Sequence, residues 1–193
     1  MSESRQLLSL IEGLGEGRVL CVGDVMLDRF VYGDVSRISP EAPVPVCRVI
    51  GENAMLGGAG NVVRNLASIG VSVDFVSVIG SDKAAQEVQS LISNDDRIVA
   101  KFFKDPERQT TIKERFVAGS QQLLRVDREE TEEVGSEISH QLVEYVSTLL
   151  PDVGALVISD YGKGVLLTGT IIELIGAACE ANCPVIIDPK GDD

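Results

Sequence analysis

The sequence predicts an α/β layered fold with a mostly parallel central sheet and a small additional β lid. Three observations carry this reading. Short runs of Val, Ile and Leu end in Gly or Asp; helix-length segments with apolar residues at helical spacing lie between them; and two stretches rich in β-branched and aromatic residues break that rhythm. Continuous apolarity suits strands covered on both faces, as in a parallel sheet. Strands that alternate with helices build layered α/β architecture.

In chain order, the first core strand is Val19-Leu20-Cys21-Val22, ending before Gly23-Asp24. Residues 30–50 follow, with Phe30-Val31-Tyr32-Gly33, then Pro40, Pro43 and Pro45, then Val46 to Ile50. Their partial alternation marks half-exposed antiparallel lid strands. Residues 61–69 place Val62, Leu66 and Ile69 on one helical face, closed by Gly70. Phe75-Val76-Ser77-Val78-Ile79 before Gly80 is the second core strand. Residues 98–118 hold Ile98 to Phe103 and Thr110 to Val117, read as further lid strands, and a lid often covers a site or pairs subunits. The acidic run over residues 127–133 reads as a solvated turn and helix approach. Ile138, Leu142, Tyr145, Val146 and Leu149 recur at helical spacing, before the strand Ala155-Leu156-Val157-Ile158 and Ser159-Asp160. Ile171, Ile172, Ile175 and Cys179 mark a last helix, stopped by Asn182-Cys183-Pro184. Val185-Ile186-Ile187 before Asp188-Pro189 is the fourth core strand.

The 193 residues carry a net charge of −13, with 44% hydrophobic and 24% charged residues, which is globular composition. An isoelectric point near 4.5 argues against a general nucleic-acid binder and against an anionic membrane surface. No apolar run approaches the ~20 residues that span a bilayer, and residues 1–6 lack the basic start of a secretion signal. The expectation is a soluble, cytoplasmic chain. Cys21, Cys47, Cys179 and Cys183 form no C-x2-C pair and His140 stands far from them, so zinc-ligand spacing is missing. Cys21, in an apolar run, reads as a reduced buried thiol, and Cys179 with Cys183 as packing residues on one helix. His140 has no partner motif to orient it as a base.

Gly57-Gly58-Ala59-Gly60-Asn61 opens a helix. Glycines there let backbone approach a ligand, and a helix start offers unpaired N–H groups. A dinucleotide fingerprint fits poorly, since Val63 stands where a third glycine belongs and Asp74 begins the next strand. Gly162-Lys163-Gly164 does not complete a Walker A loop. Asp24 and Asp28 lie just past the first strand, at the usual ligand edge of a parallel sheet. Asp28 can accept from two sugar hydroxyls and Asn61 can donate and accept; alternatively the two carboxylates cap the following turn.

From Gly57 to Gly80 the chain resembles the first signature of the ribokinase-like (PfkB) carbohydrate kinases: Gly57-Gly58, a small residue, Asn61, then Gly70 and Gly80 at the family's spacing. Val63 departs from the family's small residue. Further stretches resemble the heptose 7-phosphate kinases among them: residues 23–29, Ser36-Arg37-Ile38-Ser39-Pro40-Glu41-Ala42-Pro43-Val44-Pro45-Val46, residues 121–127, Ser159-Asp160-Tyr161-Gly162-Lys163-Gly164, and Ile187-Asp188-Pro189-Lys190-Gly191.

The resemblance implies a ribokinase-like fold and transfer of the γ-phosphoryl of ATP, with Mg2+, to the anomeric hydroxyl of D-glycero-D-manno-heptose 7-phosphate. The product is the 1,7-bisphosphate, on the route to ADP-heptose for lipopolysaccharide. Asp28, Gly57, Gly58 and Asn61 match the family's sugar-binding positions. Lys113 and Arg115 share one face of a lid strand and are candidates for the sugar phosphate, or else solvent-facing charges on an edge strand. Asp160 and Asp188 end strands at the ligand edge, with Lys163 and Lys190 close behind. Asp160 is assigned to the sugar, and Lys163, Asp188 and Lys190 to the nucleotide side; the alternative for each pairing is a loop salt bridge. The family's Thr-Pro-Asn-x-x-Glu segment and its Gly-Ala-Gly-Asp turn, which holds the catalytic base, occur nowhere in these residues. Residues 1–193 are therefore expected to be the N-terminal part of one kinase domain, C-terminally truncated, with an apolar sheet edge uncovered and no appreciable kinase activity alone. Another ribokinase-like sugar kinase, or a non-catalytic module that binds sugar phosphate or forms a homodimer through the lid, are the alternatives.

Overall fold

The computed structural model describes residues 13–190. The reading of residues 1–6 as free of a leader, and Gly191 of the last motif, fall outside them. Among the described residues, nine strands and four α-helices follow in chain order: β1 (Arg18–Gly23), β2 (Val25–Ile38), β3 (Pro45–Gly58), α1 (Ala59–Ser68), β4 (Ser72–Ile79), α2 (Lys83–Ile92), β5 (Ile98–Lys104), β6 (Ile112–Ala118), β7 (Gln121–Arg128), α3 (Ser136–Leu149), β8 (Ala155–Ser159), α4 (Thr168–Glu180) and β9 (Val185–Asp188). They form a five-stranded sheet in the order β5-β4-β1-β8-β9 and a four-stranded sheet in the order β3-β2-β6-β7. Every pairing in the first is parallel.

Period-two alternation in β1 and β4 explains the layering. Cys21, Val73, Phe75 and Ile79 face one core with α1, α2 and the base of the second sheet, where Val63, Val88, Leu27 and Leu56 join them. Leu20, Val22, Val76 and Val78 face the other core, with Leu142 and Val146 of α3 and Leu174 and Ala178 of α4. Each such buried aliphatic or aromatic side chain contributes about 1.5–3 kcal/mol. The runs lack alternation because both faces are covered.

The sequence places three features differently from the structure. Residues 98–104 are not lid: they form β5 at the edge of the main sheet, with Val73 opposite Ile98 and Ile79 opposite Lys104. An edge strand covered on one face shows the same alternation as a lid strand, here Ile98, Ala100 and Phe102 inward and Val99 outward. The lid strands of residues 30–50 extend to Val25 and Gly58, because pairing continues through Asp28 with Met55 and Met26 with Gly57. The lid also gains β7, whose Asp127 and Arg128 belong to the run read as a solvated turn. Helix faces shift as well. Helix α1 buries Val63 and Ala67 and leaves Ile69 exposed; α4 buries Thr170, Leu174 and Ala178. Cys179 is exposed, and Cys183 lies beyond the helix end, buried.

One residue, Asp24, separates β1 from β2, so the chain passes directly from the main sheet into the second. Ser77 of β4 satisfies the break: its hydroxyl donates to the Gly23 carbonyl (2.6 Å) and accepts from the Val25 N–H (3.3 Å). Beneath the second sheet, Arg29 donates to both Glu87 oxygens (2.7 and 2.8 Å) and to Glu114 (3.2 Å), which also accepts from Arg128 (2.7 Å). This network ties β2 and β6 to α2. Helix α2 was absent from the sequence reading, although Asp82 caps it by accepting the Ala85 N–H (2.8 Å) before Ala84, Ala85, Val88 and Ile92.

Candidate sugar-binding site

At the C-terminal edge of the main sheet a cavity of about 430 Å³ is lined by Met26, Asp28, Phe30, Met55, Gly58, Asn61, Lys113, Arg115 and Tyr161, with Leu56 at its base. The second sheet supplies most of this wall. Asp28 lies opposite Lys113 and Phe30 opposite Arg115 in the parallel β2–β6 pairing, so residues two apart put all four side chains on one face. Arg115 donates to Asp28 Oδ1 at 2.6 Å, and its guanidinium lies over the Phe30 ring, 5.2 Å from the centroid. Both partners keep about a fifth of their side-chain surface open (22% and 20%), so the pair is reachable by a ligand.

The glycines have geometric reasons. Gly58 adopts φ +57°, where an L side chain is strained, and a Cβ there would meet the Asp24 carbonyl and Met26 Cε (2.8 Å). A Cβ on Gly57 would meet the Asp28 carboxylate, with its Cγ only 2.8 Å away. Space beside Asp28 therefore exists only because Gly57 lacks a side chain. Helix α1 begins immediately afterwards and has no side-chain cap, which leaves amide donors beside Asn61.

Of the residues singled out by sequence, the structure brings together Asp28, Gly57, Gly58, Asn61, Lys113 and Arg115. Asp160 is half-buried just past β8 and accepts the Gly162 N–H at 2.7 Å, a turn contact. Asp188 and Lys190 are exposed at the end of β9, with the Lys190 stem against Gly162. Lys163 differs: its side chain is 7% exposed and its ammonium pairs with Glu129 at 2.7 Å. Its partner is thus neither Asp160 nor Asp188, the carboxylates the sequence set beside it, and Glu129 leaves the solvated run. Asp24 caps a distant turn rather than the following one, accepting N–H bonds from Tyr161 (2.8 Å), Lys163 (3.2 Å) and Val165 (3.2 Å). Burial pushes its carboxyl above the ordinary range, the three N–H bonds pull it down, and the charge of Asp160 raises it further.

Sequence reasoning missed Tyr161, Phe30 and Met55 as lining residues, and Arg108, which is buried and donates to the carbonyls of Lys163 and Glu132 at 2.6 Å each. For Met55 and Phe30 the signal was available, since both lie two residues along a strand from, or directly opposite, a chosen residue. A larger hollow of about 700 Å³, lined among others by Lys101, Phe103, His140 and Tyr145, includes none of the candidate residues. His140 there is exposed, 3.5 Å from Glu144. Among the described residues, no cluster of three or more His, Cys, Asp or Glu side chains is placed to hold a metal, and all four cysteines are free. Burial pushes the Cys21 thiol up to about 12. No helix among the described residues is long and apolar enough to cross a membrane.

The model of the pfkB family of carbohydrate kinases matches residues 16–193. The chain belongs to that family. It is 54% identical over all 193 residues to the bifunctional protein HldE of Paramagnetospirillum magneticum and 49% identical to that of Rhodospirillum rubrum. It spans only about 40% and 39% of their lengths. In structure it is similar to phosphofructokinase-2 of Escherichia coli in complex with fructose-6-phosphate, with TM-score 0.68 and 20% identity, over 91% of this chain and 56% of that one. A carbohydrate kinase of Agrobacterium tumefaciens gives TM-score 0.66 at 17% identity, over 89% and 53%. These likenesses establish the ribokinase-like layered fold with its second sheet.

Proposed function

We propose that this chain forms the sugar-binding part of an ATP-dependent carbohydrate kinase that phosphorylates the anomeric hydroxyl of D-glycero-D-manno-heptose 7-phosphate, giving the 1,7-bisphosphate. One observation carries the reading: a carboxylate, an amide side chain, two cations and a glycine-bared backbone converge on one cavity at the sheet's ligand edge. The identity to HldE proteins over the whole chain supports the heptose assignment.

Asp28 accepts from adjacent sugar hydroxyls through the space that Gly57 leaves open, while Arg115 fixes its orientation. Asn61 donates and accepts at the rim. Lys113, beside Arg115, meets the sugar phosphate, for which a compact ammonium is a suitable point charge. Asp160 holds the turn behind the sugar. ATP with Mg2+ supplies the transferable phosphoryl group. Of the residues present, Asp188 and Lys190 fit its polyphosphate side, being exposed at the end of β9; Lys163 does not, because Glu129 already neutralises it. The described residues assign no base, and the family's Gly-Ala-Gly-Asp turn is not in this sequence.

The test is calorimetric titration of the 193-residue chain with heptose 7-phosphate, fructose 6-phosphate and ribose, beside an ATP turnover assay. The expected result is saturable binding, tightest for the heptose phosphate, without turnover. Equal affinity for ribose would replace the heptose reading by another sugar kinase, and turnover would refute the inactivity. We also assign the second sheet as a homodimer surface, since Ile38, Val49, Ile50 and Leu124 are exposed on it, Ile50 by 67%, with Val44 exposed in the loop that joins β2 to β3. Sedimentation should give a dimer that Ile50→Lys dissociates; a monomer at every concentration overturns it.

A further inference from the structure

Asp24 presents an unusual expenditure of charge. It is 1% exposed, and removing a carboxylate from water is costly unless hydrogen bonds replace the solvent. The replacements all come from one short turn. Oδ2 accepts the N–H groups of Tyr161 and Lys163, and Oδ1 that of Val165. The backbone of Asp24 joins the same junction, its N–H donating to the Ser159 carbonyl (3.2 Å) and its carbonyl accepting from Ala59 at the start of α1 (2.9 Å). Within the turn Asp160 accepts the Gly162 N–H (2.7 Å), and Gly162 and Gly164 sit at φ +62° and +79°, which glycine permits without enforcing, so three of the turn's amides are anchored from outside by Asp24. What this turn carries into the cavity is Tyr161.

The cavity lining contains two aromatic residues, Phe30 and Tyr161. Phe30 is covered by the Arg115 guanidinium. A carbohydrate has an apolar C–H face that needs an aromatic or apolar surface, besides hydroxyls that need polar groups. Asp28, Lys113 and Arg115 stand on the second sheet and Asn61 on α1, whereas the free aromatic, Tyr161, comes from the turn after β8 and lines the same cavity.

We infer that Asp24 is a positioning residue for the sugar site, gripping the 161–165 turn so that the Tyr161 ring forms the wall on which the sugar's C–H face lies. The inference rests on the reading of this cavity as the carbohydrate site. Asp24 touches no substrate; it acts through Tyr161. An Asn at position 24 keeps the shape but presents an NH2 to at least one N–H donor, releasing part of the turn.

The experiment measures heptose 7-phosphate and fructose 6-phosphate binding by calorimetry, with thermal melting of every variant and amide hydrogen exchange at positions 161, 163 and 165. Tyr161→Ala should weaken binding about tenfold, and Tyr161→Phe should restore it to within about twofold. Asp24→Asn should weaken binding comparably and speed exchange at the three amides. In the Tyr161→Ala background, Asp24→Asn should cost less than about twofold in affinity while exchange stays fast. Gly162→Ala, which strains the same turn without touching the buried carboxylate, gives the same pattern and keeps the test open if Asp24→Asn does not fold. Native affinity in Tyr161→Ala, or a full Asp24→Asn or Gly162→Ala loss without the ring present, overturns the inference alone. A wild-type chain that binds neither sugar phosphate sinks the sugar-site reading together with it.

Discussion

Gly57→Ala changes no functional group, yet it should remove most sugar binding. The added Cβ would lie 2.8 Å from Asp28 Cγ and 3.0 Å from Met26 Cγ. Non-bonded carbons prefer about 3.5–4.0 Å, so the carboxylate must retreat by about 1 Å. That movement strains its 2.6 Å bond to Arg115 and displaces the oxygens a sugar would use. Overpacking of this kind costs about 1–3 kcal/mol of stability, a melting shift of about 2–4 °C per kcal/mol for a chain of this size. Losing one hydrogen bond between a carboxylate and a sugar hydroxyl costs about 1.5–3 kcal/mol in binding, between about tenfold and a hundredfold in Kd. Gly51 provides the control on the same strand: nothing lies within 4 Å of its Cβ position, so Gly51→Ala should bind as wild type does. Calorimetry and thermal melting on both variants decide the matter. Equal affinity in Gly57→Ala and Gly51→Ala would remove Asp28 from the site.

Three further outcomes are expected. Lys163→Met and Glu129→Leu should each lower stability by about 2–4 kcal/mol, less than for a fully buried pair because Glu129 stays 31% exposed, while the double change recovers most of it in denaturant titration; full additivity would remove the coupling. With a thiol reagent at neutral pH, Cys179 should react first and Cys47 more slowly, whereas Cys21 and Cys183 react only on unfolding; fast Cys21 labelling would contradict its burial and a thiol pushed up to about 12. Asp24 has a native carboxyl raised above 3.8, so the folded state holds its proton longer than the unfolded state, and the stability this contributes fades as pH climbs from 3.8 through the raised value. The melting difference between wild type and Asp24→Asn should therefore shrink over that interval, and a difference that grows with pH would reverse the assigned sign.

The main sheet was legible because doubly covered strands announce themselves as unbroken apolar runs, as at residues 19–22 and 155–158. Strand β5 was not, since an edge strand and a lid strand share one pattern, and only pairing partners separate them. Helix faces in α1 and α4 came out one residue off, because Ile69 and Ile172 are apolar yet exposed. The site was legible where chemistry is local: Asp28, the glycines and Asn61 follow from type and spacing. The ion pair of Lys163 was not legible, because its partner Glu129 stands 34 positions earlier and the charge pattern pointed to the neighbouring Asp160 instead. Arg108 and Tyr161 are placed by contacts between distant segments, the Arg108 guanidinium on the carbonyls of Glu132 and Lys163 and the Tyr161 N–H on Asp24, which the sequence around them does not signal.

The register that joins β2 to β6 also sets an order of assembly. Asp28 and Arg115 lie 87 positions apart, with β3, α1, β4, α2 and β5 between their strands in the chain. Contacts of such long separation are entropically late. The carbohydrate pocket also needs Tyr161, which reaches Asp24 across 137 positions as β8 pairs with β1, so the pocket is completed near the end of folding, together with the closing of the main sheet. A sugar bound there stabilises the native chain by slowing its escape rather than hastening its arrival, so ligand should lengthen the native lifetime and leave the refolding rate nearly untouched.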